Sequence, residues 1–158
     1  MKQKHRLILF IILSLLVLCF IFSNSLQSGP DSNARSGRVA QWLQPILNPF
    51  GCIPADTFHK IIRKLAHFTE FAVLGVCLFG WVYNLSKQPK RPWLLAGTCA
   101  LLAAVTDETI QRFTGRTAML QDVLLDVGGA AFGIIITAFL LSLWRHLSKR
   151  GGKPSCPN

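Results

Sequence analysis

Glu70, Asp107, Glu108, Asp122 and Asp126 are five of the seven acids in this 158-residue chain, and each falls inside or at the rim of an apolar segment long enough to cross a membrane. A charge near a bilayer centre costs about 3 kcal/mol or more, so acids at such positions read first as a functional site. Their polar neighbours recur at helical intervals. Arg63, His67 and Glu70 are four and three residues apart and share one helical stripe. Gln111 follows Asp107 and Glu108 at spacings that put it within reach of both. Asp122 and Asp126 lie one turn apart, and Asp126 runs on into Gly129 and Gly133, a G-x-x-x-G stripe that lets a neighbouring backbone come close. Arg112 and Arg116, in the connection before Asp122, place guanidinium groups beside the carboxylates.

Such a set suits several chemistries. A His67–Glu70 pair next to further acids has the parts for general acid–base work. Carboxylates at interfacial depth suit a hard cation such as Mg²⁺, held between protein and a substrate phosphate. Arg63 and Arg116 suit a phosphate directly, through bidentate hydrogen bonds. No complete metal signature, serine nucleophile elbow or phosphate-cradling glycine loop is present, so the sequence assigns no catalytic residue, no metal ligand set and no cofactor. Plainer roles stand beside each of these. Arg63 suits an interface anchor, His67 and Glu70 a self-satisfying polar pair, Asp122 the N-terminal cap of a helix, the glycines packing, and Gln111 and Arg116 charge neutralisation. The plain roles explain poorly why separate segments bring acids to the same depth.

The elements that position these groups follow from hydropathy. A hydrophobic fraction of 51% and a mean hydropathy of +0.39 are too apolar for a soluble domain with one core. Spans are expected at about 7–25, 64–85, 93–111 and 122–144, within one domain over 1–158 and without internal repeats. The fold class is therefore an all-α integral membrane bundle of four transmembrane helices. A cleaved signal peptide competes for the first segment, since Lys2, Lys4, His5 and Arg6 form a basic leader, but the Leu/Ile/Phe run is long for one, and a retained helix is preferred. Basic residues cluster at Lys2, Lys4 and Arg6, at Lys87, Lys90 and Arg91, and at Arg145, Lys149, Arg150 and Lys153, which orients both termini to the cytoplasm. The remaining seven bases and all seven acids then fall on the outer half, leaving the inner rim with the whole net charge of +10. The bases flank spans, so the pI near 10 does not imply a nucleic-acid partner.

Between the first two spans, Ser28–Asp31 reads as a turn. Val39, Trp42, Leu43, Ile46 and Leu47 then recur at helical spacing opposite Arg35, Arg38, Gln41 and Gln44. This is an outer amphipathic helix, lying on the leaflet or packed as a lid over the acids. Asn48–Gly51 ends it, Asp56 is placed to cap the next helix, and Gln88-Pro89 breaks the cytoplasmic loop. Cys19, Cys77 and Cys99 read as apolar fillers, Cys52 and Cys156 stand apart, and no disulfide pair or C-x-x-C is evident.

The runs Arg63–Phe71 with Leu74-Gly75, and Asp107-Glu108, Gln111, Phe113, Gly115-Arg116, Asp122-Val123, Asp126 and Gly129, resemble the VanZ-like family of small bacterial membrane proteins. Ser23, Ser25, Gln27, Ser28 and Ser32 are similar to that family's serine-rich exit from its first helix. The family often carries Asn where this chain has Asp126. The resemblance runs from about Leu7 to Trp144 and implies a multi-pass protein of the bacterial cell membrane. The family is named after a protein linked to teicoplanin resistance, which implies a role in lipoglycopeptide resistance through binding or modifying an envelope ligand. Partners would be membrane lipids, a lipid-linked wall precursor or the lipoglycopeptide itself. The alternative is an intramembrane acid–base or metal-assisted enzyme acting on a lipid-linked substrate. Proton-coupled transport fits least, because the inner helix halves offer only Ser, Thr and Cys. The candidate ligand-binding residues are Arg63, His67, Glu70, Asp107, Glu108, Gln111, Arg116, Asp122 and Asp126.

Overall fold

The computed structural model describes residues 3–85, 89–116 and 119–150. Among them are five helices and no strand: α1 (Gln3–Ser25), α2 (Gly29–Leu47), α3 (Ala55–Tyr83), α4 (Pro92–Phe113) and α5 (Leu120–Arg150). Lys2, Lys87, Gln88, Lys153 and Cys156 lie outside the described residues, as do the side chains of Lys149 and Arg150. Helices α1, α3, α4 and α5 are long and apolar enough to cross a membrane, so the all-α membrane bundle expected from hydropathy is the observed architecture. At 1.5 Å per residue, the 23 residues of α1 reach about 34 Å against a hydrocarbon core of about 30 Å. Leu16, Leu102, Ile135 and Phe139 are among many large apolar side chains left exposed. In water that would be an aggregation surface; on a membrane bundle it is the lipid-facing one.

Several element ends differ from expectation, each for a local reason. Ser28 is the N-cap of α2, its hydroxyl accepting from Asp31 N, and Pro30 sits in the first turn where its missing N–H is harmless. The expected Ser28–Asp31 turn is thus already helix. Asp56 does not cap α3: Pro54 holds that position and Asp56 lies in the first turn, where its charge still complements the helix dipole. Asp122 likewise falls within the first turn of α5, its N–H bonded to Met119 O. Helix α5 also runs past Trp144, because hydropathy falls there but no Gly or Pro breaks the helix before Gly151.

Helix α3 is the hub and packs against all four others. Its tightest neighbour is α5. A Cβ placed on Gly133 would collide with Ala72 O, one on Gly129 with Phe68 O, and one on Gly75 with Ala130 O. Reciprocal glycines therefore bring the two backbones into contact, as small-residue stripes do in membranes. Ala96, Ala100 and Ala104 give α4 a similarly flat buried face against Phe71, Leu74 and Val82. At the far end Gln3 Nε2 donates to Asn84 O at 3.2 Å, and Arg145 lies 4.8 Å above the Tyr83 ring. Helix α2 rests on α3 through Ala40, Phe58 and Ile62. It is pinned by the Ser36 Oγ–His59 Nε2 contact at 2.7 Å and by Arg63 Nη1 donating to Asn33 Oδ1 at 3.4 Å.

The end of α4 aims the following loop. Gly115 adopts φ +76°, Arg116 N bonds back to Gln111 O at 3.1 Å and Gly115 N to Arg112 O at 3.4 Å. This is a Schellman termination, which depends on a residue tolerant of the left-handed region.

Gly133→Leu should destabilise the detergent-solubilised protein by about 3 kcal/mol or more through overpacking. Gly97, which has open space around it, should accept Ala with a gain of about 0.5–1 kcal/mol. Equal thermal unfolding of the two variants would contradict the close α3–α5 contact. Gly115→Ala should cost about 1–2 kcal/mol from backbone strain alone, since nothing surrounds its Cβ position. Gly115→Asn should recover part of that in the same unfolding measurement.

Candidate functional site

Alternating helix direction brings the exit of α1, the middle of α3, the exit of α4 and the entrance of α5 to one end of the bundle. Asp107, fully buried, is the best-anchored acid there. Ser25 Oγ from the last turn of α1 donates to its Oδ1, and Gln111 Nε2, one turn along α4, donates to its Oδ2 at 2.6 Å. Thr114 Oγ1 donates to Ser25 O at 3.1 Å and fastens α1 to the end of α4. Buried polar groups in hydrocarbon need such partners, and here the ends of α1 and α4 supply them.

Asp126, 1% exposed, projects from α5 toward α3, where its Oδ1 stands 4.0 Å from His67 Nδ1. Asp107 completes a trio with them: one ligand-type atom from each of His67, Asp107 and Asp126 lies within 4.8 Å of the others. Glu70, one turn below His67, instead faces α1 and accepts from Asn24 Nδ2 at 3.2 Å. Arg35 Nη1 of α2 donates to Asn24 Oδ1 at 3.1 Å, so Asn24 relays between a base and an acid. Glu108 Oε1 accepts the Met119 N–H at 2.6 Å and so tethers α4 to the start of α5.

Some polar atoms at this end have no such partner. Among the described residues, the buried side-chain nitrogens and oxygens without a hydrogen bond are His67 Nδ1, Glu70 Oε2, Glu108 Oε2, Arg116 Nε and Asp126 Oδ1. All belong to residues singled out from the sequence.

Arg116 is returned over the acids by the Gly115 turn and is buried. Burial, and next the nearby Arg63, lower its pKa from the ordinary arginine value, while Asp107, Glu108 and Asp122 act in the opposite sense. Arg35, Arg63 and Arg116 line one polar pocket of about 230 Å³ together with His67 and Glu70. That pocket shares Phe20, Val39, Ile62, Ala66 and Glu70 with an apolar groove of about 660 Å³ between α1, α2 and α3. On the other side of His67, Asp122 and Gln111 line a second polar cavity of about 280 Å³ with Lys60 and Lys64.

The acids therefore converge as their spacing implied, with corrections. His67 and Glu70 share a stripe but face different neighbours, Asp126 and Asn24, because three residues fall about 60° short of a full helical turn. Arg112 remains exposed, and of the two only Arg116 is buried near the carboxylates. Asn24, Ser25 and Arg35 contribute to the site without having been singled out as candidates. Asn24 and Ser25 read as interface extensions of a span, and Arg35 as the polar face of an amphipathic helix. A polar residue at the exit of a span, facing acids in other spans, was the signal available. No metal set was expected from the sequence, and the His67, Asp107 and Asp126 trio comes from three different helices with no local motif to reveal it.

Thiol:disulfide interchange protein DsbD of Shigella flexneri serotype 5b, of Shigella boydii serotype 4 and of Salmonella paratyphi A is in each case 30% identical to this chain over 95 residues. The matched stretch is 56% of this chain and 15% of theirs, so the chain corresponds to a small part of those proteins. The described cysteines here, Cys19, Cys52, Cys77 and Cys99, are free thiols. No solved structure matches the chain. The VanZ/LLP1 family model matches residues 10–142, from α1 into α5 and across every residue of the polar cluster, and the chain belongs to that family.

Proposed function

We propose that this protein binds an amphiphilic ligand of the bacterial envelope at the outer membrane face, the acid-rich end of the bundle facing outward and both termini lying in the cytoplasm. The observation that carries the reading is that an apolar groove shares five lining residues with a smaller pocket that bears three arginines. The groove is about 660 Å³ in volume, and the pocket is walled by Arg35, Arg63 and Arg116. An aliphatic or prenyl tail fits the groove, and a phosphate head fits the guanidinium groups, which bind such oxyanions through charge-assisted hydrogen bonds. Helix α2 closes one side of both cavities, which favours the packed position over a helix lying free on the leaflet. Glu70 at the junction and His67 above it are placed to receive hydroxyl or amine groups of the head.

A ligand of this form matches a lipid-linked wall precursor or polymer anchor. Sequestering or altering such a molecule, or capturing the lipid tail of a lipoglycopeptide, is the route by which the protein would contribute to teicoplanin resistance. Vancomycin lacks such a tail and serves as the control.

Binding of a long-chain polyprenyl phosphate to the protein in nanodiscs tests the ligand class, with the uncharged polyprenol as reference. Arg63→Ala or Arg116→Ala should weaken phosphate binding about tenfold or more, the loss of one charge-assisted contact of about 1.5–3 kcal/mol. Arg112→Ala should leave it unchanged. Val73→Trp, which fills the apolar end of the groove, should weaken the long-chain ligand and spare a short-chain phosphate. Equal binding of polyprenol and polyprenyl phosphate would overturn the reading.

Drug susceptibility tests the biological role. In a host lacking the protein, the wild type should raise tolerance of teicoplanin more than of vancomycin, and Arg116→Ala at matched membrane levels should not. Identical susceptibility of all these strains would remove resistance as the function.

A further inference from the structure

We infer that His67, Asp107 and Asp126 form a binding site for one divalent transition-metal ion, of the Mn²⁺ or Zn²⁺ class, buried where α3, α4 and α5 meet. The inference goes beyond the amphiphile reading and does not rest on it.

Distance is the first ground. One nitrogen or carboxylate oxygen from each residue lies within 4.8 Å of the other two. A point central to three such atoms is within about 2.8 Å of each, so an inward rotation of less than about 1 Å per side chain reaches bonds of about 2.0–2.2 Å.

The second ground is independent of clustering. Asp126 is 1% exposed and its Oδ1 has no hydrogen-bond partner, and neither does the buried Nδ1 of His67 that faces it. Their separation of 4.0 Å is too long for a hydrogen bond. Two ligands each about 2.1 Å from a shared tetrahedral ion stand about 3.4 Å apart, so an approach of about 0.6 Å brings this pair to metal-ligand spacing.

A third ground is the support around the trio. Both Asp107 oxygens already accept a hydrogen bond, from Ser25 and from Gln111, which fixes the carboxylate and leaves further lone pairs free. Metal-binding carboxylates are held by such outer partners. One imidazole with two carboxylates favours Mn²⁺, Fe²⁺ or Zn²⁺ over Mg²⁺ and Ca²⁺, which take oxygen ligands. Three protein ligands leave a position open, and His67 lines the polar cavities on both sides of itself, so an ion here is reachable from the acid-rich end.

Chelator-stripped wild type, purified in detergent through a tag without histidines, is to be titrated calorimetrically with Mn²⁺ and Zn²⁺. One saturable site per chain is expected. Asp126→Asn and His67→Gln, which preserve shape, should each abolish saturable binding while unfolding as cooperatively as the metal-free wild type. Ser25→Ala, which removes only an outer partner of Asp107, should weaken binding about 10–100-fold. The inference is overturned by a wild type that shows no saturable site for either ion, as two carboxylates sharing protons would behave, or by unchanged stoichiometry and affinity in the Asp126→Asn, His67→Gln double variant. Because the probe is the metal alone, failure here leaves the polyprenyl phosphate result untouched.

Discussion

Backbone contact between α3 and α5 is the constraint from which the polar site follows. Gly129 and Gly133 meet the carbonyls of Phe68 and Ala72, and Gly75 meets that of Ala130. With no side chains between them, the helices lie too close to admit lateral rearrangement. Asp126 sits one turn before Gly129 and His67 one residue before Phe68, so the same contact sets His67 opposite Asp126. Association of helices in lipid gains little from the hydrophobic effect and depends on this kind of fit. The small residues therefore act on the site indirectly, by setting the distance across which its side chains face each other.

A polar cluster in an apolar bundle has to satisfy its own atoms, and the way it does so separates scaffold from site. Ser25, Gln111 and Thr114 tie α1 to α4 around Asp107, and Glu108 spends one oxygen on Met119. These bonds hold the bundle end together. The second oxygens of Glu70 and Glu108, Oδ1 of Asp126 and Nδ1 of His67 are not used in this way. Each unpartnered buried group of this kind costs about 1–3 kcal/mol, and such deficits concentrate where a structure is shaped for something other than stability.

Much of the architecture was legible because membrane spans announce themselves by length and apolarity, and because alternating direction alone carries Glu70, Asp107, Glu108, Asp122 and Asp126 to one end. The capping assignments failed at Asp56 and Asp122 because an acid is favourable anywhere in a helix's first turn, so composition does not distinguish the cap from the positions after it. Helix adjacency was less legible. The G-x-x-x-G stripe marked α5 as tightly packed without naming α3 as the partner, and Ser36 with His59, or Asn24 with Glu70, pair across distances that no local spacing encodes. Gly115 was visible as a glycine, but its left-handed turn and the consequent return of Arg116 over the acids belong to the backbone geometry.

Seven bases and seven acids fall in the segments that connect to or enter this end of the bundle, against ten bases and no acids elsewhere. A site that is neutral in sum cannot select its ligand by long-range attraction; it has to select by arrangement at close quarters. The arrangement is polarised. Arg35, Arg63 and Arg116 line the cavity that meets the apolar groove between α1, α2 and α3, while Asp107 and Asp126 are buried toward the junction of α4 and α5. His67 and Arg116 stand where these halves meet. On the proposed reading, a ligand with a negative head and an apolar tail would be oriented by that polarity, tail along the groove and head toward the guanidinium groups. Behind the arginines lie the buried oxygens of Asp107 and Asp126, acceptors rather than donors, so a head that advanced beyond the arginines would need a cation between.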